Sequence, residues 1–126
     1  MIKMQLWDCS GQKKFSSAIY SYIKGASGII LVYDITQESS FNAINNWIKL
    51  IKERTPNTNI VLVGQKCDLE EKRVISEEKG KELADELGIE FFEISAKNDY
   101  NIKEMFDFLI QQCIYTFGEA ADIGAV

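Results

Sequence analysis

Three runs along the chain are continuously apolar: Gly28 to Tyr33, Ile60 to Val63 and Phe91 to Ile94. Short runs without alternation predict strands buried on both faces of a sheet. A fourth segment alternates, with Ile2, Met4 and Leu6 on one side and Lys3, Gln5 and Trp7 on the other. That pattern predicts a strand nearer an edge, with one more exposed face. Between the strands the period lengthens. Ile102, Met105, Phe106, Leu109, Ile110 and Cys113 recur at i, i+3, i+4, i+7, i+8 and i+11, the stripe of an amphipathic helix. Asn101 with Glu104 three residues on resembles a capping box at its start. Phe41, Ile44, Ile48 and Ile51 form a second stripe, ended at Thr55-Pro56 because proline disfavours helix in the residue before it. Ser76, Glu77 and Glu78 open a third helix that Gly88 closes. Gly80 inside it costs about 1 kcal/mol against alanine, which predicts the softest of the helices. An irregular helix is expected over Phe15 to Ile23.

Strand and helix therefore alternate regularly, which implies an α/β fold, a doubly wound and mostly parallel sheet with helices on both faces. The chain has 126 residues, 46% of them hydrophobic, enough for one globular domain and too few for two. That domain is expected over 1–117, with Gly118 to Val126 a short frayed tail. Fourteen Lys+Arg against nineteen Asp+Glu leave a net charge of -5, which argues against a nucleic-acid backbone or an acidic membrane surface as partner. The chain contains no histidine, so a His-dependent triad, an imidazole proton shuttle and a His-containing metal site are excluded. Cys9, Cys67 and Cys113 form no C-x-x-C pair, which fits a reducing, cytoplasmic compartment. The longest apolar run falls far short of the roughly 20 residues that span a bilayer, and the first residues lack a secretory h-region, so neither insertion nor export is expected.

In open α/β sheets, ligands bind at the carboxyl ends of the strands. Polar residues follow every predicted strand here. Trp7-Asp8-Cys9-Ser10-Gly11-Gln12 comes after the first, Asp34-Ile35-Thr36 after the second, Gly64-Gln65-Lys66-Cys67-Asp68 after the third and Ser95-Ala96-Lys97 after the fourth. Taken singly they have ordinary explanations. Asp34 and Thr36 suit the start of a turn and helix better than a ligand contact. Lys66 or Lys97 alone would be a solvated lysine, and Cys9 and Cys67 read as passengers.

Taken together and in order, a D-x-x-G-Q, an N-K-x-D-like box and an S-A-K resemble the Rab family of small GTPases, from Ile2 to about Phe117. Trp7 before Asp8, and Tyr22-Ile23-Lys24-Gly25-Ala26, which looks like the Y-Y-R-G-A of Rabs, favour Rab over Ras or Rho. The resemblance implies the small G domain of the P-loop NTPase type. It also implies roles for individual residues. Asp68 would accept from the guanine N1–H and N2–H2 edge, Lys66 would lay its stem on the base, and the Ala96 N–H would meet O6. Ser95 and Lys97 would shape that loop. Asp8 resembles the acid that reaches Mg2+ through water, Gly11 the residue whose N–H meets the γ-phosphate, and Gln12 the catalytic residue that orients the attacking water. Trp7 and Tyr22 are either simple packing residues or part of a surface, Trp7 to Ile23, that Rab effectors and regulators read.

The chain also departs from the family. No G-x-x-x-x-G-K-[ST] occurs, and the switch threonine, first helix and first two strands have no counterpart, so the G domain is expected to be incomplete. Gln65 stands where the family has Asn, and Lys13 where it has Glu. No cysteine lies near Val126 to be prenylated, so membrane association would need a complete isoform with a prenylated C-terminus. The implied function is a Rab-like GTPase of vesicle transport, here an incomplete chain inactive alone, with GTP/GDP and Mg2+ bound only by the complete domain. The alternative is a non-enzymatic pseudo-GTPase that binds effectors or regulators. An unrelated receiver-like domain would leave Asp68 and Ser95-Ala96-Lys97 unexplained.

The family's first strand lies between the Ile2 to Trp7 and Gly28 to Tyr33 strands, so its loss should leave a slot in the sheet. Either Ile2 to Trp7 shifts to fill it, or that segment hangs loose, or another chain enters. Marginal stability and self-association through the incomplete sheet are the expectations.

Overall fold

The computed structural model describes residues 26–116 in full and the backbone of Lys3–Met4, Phe117 and Asp122–Ala125. Among the described residues five strands form one sheet: β1 (Lys3–Met4), β2 (Gly28–Asp34), β3 (Asn59–Gln65), β4 (Glu90–Glu93) and β5 (Asp122–Ala125). Their spatial order is β1-β5-β2-β3-β4, and every pairing is parallel. The helices are α1 (Glu38–Asn42), α2 (Ile44–Arg54), α3 (Glu77–Leu87) and α4 (Ile102–Phe117), with a 3-10 turn at Glu70–Lys72.

The alternation of side chains along a strand divides the core in two. From β2, Ile29, Leu31 and Tyr33 face one side, where they pack with Leu62 of β3 and with Phe41, Ile44, Ile48, Ile51 and Ala84 of α1, α2 and α3. Ile30, with Val61 and Val63 of β3, faces the other side and meets Met105, Leu109 and Cys113 of α4. Helices thus cover both faces, as the doubly wound reading expects. β2 and β3 run in register from Gly28↔Asn59 to Asp34↔Gln65, so their carboxyl ends stop level and the polar loops begin side by side.

The ends of α3 behave as their residues dictate. Ser76 Oγ accepts from Lys79 N at 3.1 Å, and Gly88 takes the left-handed φ of 69° that closes the helix. The Phe41 to Ile51 stripe is two helices, α1 and α2, joined at Ala43. Asn101 is not the head of a capping box. Its φ is 61°, and its side-chain amide donates to the Glu93 carbonyl at 3.2 Å, which ties the start of α4 to the end of β4.

Three further expectations need correction. β4 is an edge strand among the described residues, with no described strand on its outer flank, and Phe91 and Phe92 are only half-buried. The tail was expected to fray, yet Asp122–Ala125 form a strand. The slot beside β2 is not filled by a shift of the N-terminal strand. β5 occupies it, pairing Gly28↔Ile123, Ile29↔Gly124 and Ile30↔Ala125 on one flank and Lys3↔Asp122 and Met4↔Ile123 on the other. β1 does take an edge, as its alternation implied.

Candidate functional site

The loops after β2, β3 and β4 are tied into one unit at the carboxyl end of the sheet. Backbone bonds start the work: Ile35 N donates to Gln65 O at 3.2 Å, Cys67 N to Ile94 O at 3.1 Å and Ile94 N to Gly64 O at 2.8 Å. Side chains complete it. Ser95, 1% exposed, donates from Oγ to Asp68 Oδ1 at 2.8 Å and accepts from Asn98 N at 3.1 Å. A reciprocal bridge between Ser95 and Tyr100, 3.2 and 3.0 Å, closes the loop that holds Ala96 and Lys97. Among the described residues, Asp68 Oδ2 and the Ala96 N–H have no hydrogen-bond partner, and Lys97 is exposed. The loops therefore present a fixed acceptor and, one residue after its anchor, a fixed donor.

Lys66 takes a left-handed φ of 67°, uncommon for a residue with a Cβ. That turn carries its Nζ to 2.8 Å from Asp34 Oδ2. Asp34 Oδ1 meanwhile accepts from Thr36 N at 2.8 Å and Thr36 Oγ1 at 2.6 Å, so Asp34 and Thr36 do begin a turn. The Asp34–Lys66 pair escaped sequence reasoning. The signal for it was the level ends of two neighbouring parallel strands, which put residues 34 and 65 opposite each other.

Burial pushes the Asp34 carboxyl up, but the bonds from Lys66 and Thr36 outweigh it and hold the group below the ordinary carboxylate value. A depressed folded-state pKa stabilises above the unfolded value, about pH 4, and the gain is lost as pH falls through the folded value. Lys66 is half exposed, which weakens the pair. Asp34→Asn is thus expected to cost about 1 kcal/mol at neutral pH, with the gap to the parent closing in strong acid. Urea unfolding at pH 7 and pH 3 checks this; a gap that is constant across that range contradicts a role for the charge.

Burial, then the negative charges of Glu93 and Asp68, push the Cys67 thiol above the ordinary thiol value. Burial does the same at Cys113. The Gln65 side chain makes no hydrogen bond among the described residues, whereas its backbone carbonyl holds Ile35. Trp7, Asp8, Cys9, Gly11, Gln12, Lys13 and Tyr22, and the helix expected over Phe15 to Ile23, lie outside the described residues. Among the described residues no group of three carboxylate or thiol side chains could hold a metal ion, and no helix is long and apolar enough to cross a membrane.

Residues 1–115 match the family model described as the Ras family. The human Ras-related protein Rab-3A is 46% identical over 122 residues, 96% of this chain and 56% of the relative. Rab-3 of Caenorhabditis elegans is 43% identical over the same length and shares. Rab-8B of Dictyostelium discoideum is 49% identical over 106 residues, 83% of this chain and 52% of that protein. The chain spans about half the length of the curated relatives it matches. A match across nearly the whole chain, together with a parallel sheet that ends in the Asp68 and Ser95 loops, places it in the Ras family as a Rab-type small GTPase covering the C-terminal part of the G domain.

Proposed function

We propose that this chain supplies the guanine-recognising half of a Rab-type GTP switch. The observation that supports this reading is the Ser95–Asp68 bond, which leaves Asp68 Oδ2 and the Ala96 N–H unpaired in adjoining, fixed positions. Guanine offers N1–H and N2–H2 donors and an O6 acceptor along one edge, so a carboxylate followed by an N–H complements it. Adenine presents the opposite polarity at that edge and would leave the carboxylate unsatisfied, at a cost of about 1–3 kcal/mol or more. Asp34 holds the Lys66 ammonium to one side, so the lysine's alkyl stem is the part free to lie against a base.

GTP or GDP would bring its phosphates to residues other than those of the Asp68 and Ser95 loops. Asp8 would meet Mg2+ through water, Gly11 the γ-phosphate and Gln12 the attacking water. Magnesium, when bound, neutralises charge on the phosphate oxygens. Phosphoryl transfer depends on positioning and charge stabilisation at those oxygens, and these 126 residues contain no phosphate-cradling glycine loop. The chain by itself is therefore read as base-selective and without GTP hydrolysis. In the complete protein the switch would serve vesicle transport, with effectors and regulators engaging Trp7 to Ile23.

Amide NMR of the 126-residue chain tests this with guanosine and adenosine at millimolar concentration. Guanosine should shift the Ala96 amide, adenosine should not, and Asp68→Ala should abolish the response. Nucleotide released on denaturing the purified chain should be near zero. Stoichiometric GDP would overturn the claim that the phosphate loop is required, and equal responses to the two nucleosides would overturn the base assignment.

A further inference from the structure

Asp34 is the last residue of β2 and stands opposite Gln65, so it meets the loop after β3 where Lys66 leaves the sheet. Its own position is fixed from every side. The Asp34 N–H donates to Ser40 Oγ at 2.9 Å, its carbonyl accepts from Gln37 N at 3.0 Å, and Oδ1 takes both the N–H and the hydroxyl of Thr36. That leaves Oδ2 of a nearly buried carboxylate for the Lys66 ammonium, at 2.8 Å. Lys66 is the opposite case. Its side chain is half exposed, and a lysine so placed ordinarily samples many rotamers.

The backbone around Lys66 has supports of its own. Lys66 O accepts from Leu69 N at 2.9 Å, Cys67 N donates to Ile94 O at 3.1 Å, and Asp68 is held by Ser95 Oγ at 2.8 Å. None of these bonds involves Asp34, so the ion pair is not what places the Asp68 carboxylate. What the pair fixes is the Lys66 side chain, set at one end by the left-handed turn and at the other by the carboxylate. We propose that Asp34 is a positioning residue for base binding that acts through Lys66, pinning the lysine stem as a preformed rest for the face of the base. The inference rests on the guanine reading and adds a division of labour to it. Asp34 and Lys66 set how tightly a base is held, and Asp68 sets which base is held. Pinning the stem beforehand spares the ligand the entropy of ordering it.

NMR of the full chain, with guanosine and inosine as probes, tests this. In the parent the two Lys66 Hε protons should be inequivalent, the signature of a pinned chain. They should merge in Asp34→Asn, whose Oδ1 can still accept from Thr36. Guanosine affinity, read at the Ala96 amide, should fall about three- to tenfold in that variant, the cost of immobilising one long side chain on binding. Inosine lacks the N2–H2 donors and should weaken by the same factor, so the guanosine-to-inosine ratio keeps its parent value. Lys66→Met retains a stem with no charge to pin and should lose affinity as Asp34→Asn does. The double variant should then lose no more than either single one. Losses that add, or a ratio that changes, would overturn action through Lys66. Unchanged affinity in Asp34→Asn would overturn the positioning role and leave the pair to stability alone. Merged Hε protons in the parent would overturn it without any variant. A parent that responds equally to guanosine and adenosine would overturn the guanine reading and this inference with it, a result distinct from any confined to the variants.

Discussion

Arg73→Ala is expected to lower the free energy of unfolding by about 3–5 kcal/mol, the range for breaking a buried ion pair. Arg73 Nη1 and Nη2 each reach a Glu93 carboxylate oxygen at 2.7 Å, a bidentate clasp. Nε donates to Glu70 Oε2 at 2.9 Å, and Nη1 also donates to the Ile75 carbonyl at 2.9 Å. The Glu93 side chain is 7% exposed, so alanine at 73 strands a nearly buried carboxylate without its counter-charge. The group beside it offers no relief. Tyr33 feels the Glu93 charge, and its hydroxyl has no hydrogen-bond partner. Removing both charges, as Arg73→Met with Glu93→Leu, takes away the stranded group and should recover most of the loss. Urea unfolding of the two single variants and the double variant separates these terms. A single-variant cost below about 1 kcal/mol would mean that the pair is effectively solvated.

The consequence reaches the Asp68 and Ser95 loops. Arg73 follows the 3-10 turn of Glu70–Lys72, which itself follows Asp68. The next residues, Val74 and Ile75, both donate their N–H to the Ile35 carbonyl, at 2.8 and 3.1 Å. Arg73 thus fastens the segment leaving the Asp68 loop to the end of β4, two residues before Ser95. The same end of β4 receives the Asn101 amide on its Glu93 carbonyl. One short edge strand anchors both sides of the Ser95 to Tyr100 loop.

These particulars show what a one-dimensional pattern can carry. Period and alternation reveal β2, β3, α3 and α4, because burial repeats along the element itself. The loops holding Asp68 and Ser95 are legible too, because in parallel sheets polar chemistry gathers at strand ends. The Asp34–Lys66 and Arg73–Glu93 pairs are not. Each joins residues far apart in the chain through strand register or a loop path, and neither charge run differs from a solvated one. Asn101 looked like a cap because its type and spacing suit one, but a positive φ turned its amide toward β4. The strand at Asp122–Ala125 was invisible for a different reason. Its residues have little β preference, and what orders them is the unfilled edge of β2, a property of the sheet and not of the segment.

Gly80 shows packing reversing a propensity. In an exposed helix, alanine outdoes glycine by about 1 kcal/mol. In α3, Gly80 is buried, and a Cβ there would press against the Tyr33 hydroxyl and lie 2.7 Å from Cε1 and Cζ of Phe91. Tyr33 cannot step aside. It is 1% exposed, Phe41 meets its ring edge-on at 4.9 Å, and a Cβ at Gly64 would lie 2.9 Å from the same hydroxyl. Two glycines therefore frame a phenol that the sheet and α3 enclose. Gly80→Ala is expected to destabilise by about 1–2 kcal/mol net of its helix gain, and Gly80→Val by about 3 kcal/mol. The unpartnered hydroxyl supplies the control. Tyr33→Phe removes a buried polar group that has no hydrogen bond, so it should be neutral or stabilise by about 1 kcal/mol. It also removes the atom nearest the new methyl, so Gly80→Ala should cost about 1 kcal/mol less in the Tyr33→Phe background. The remaining cost belongs to Phe91, which the double variant leaves in place. Thermal or urea unfolding of the four proteins decides the matter: a stabilising Gly80→Ala would mean that α3 stands further from the sheet than its glycine requires.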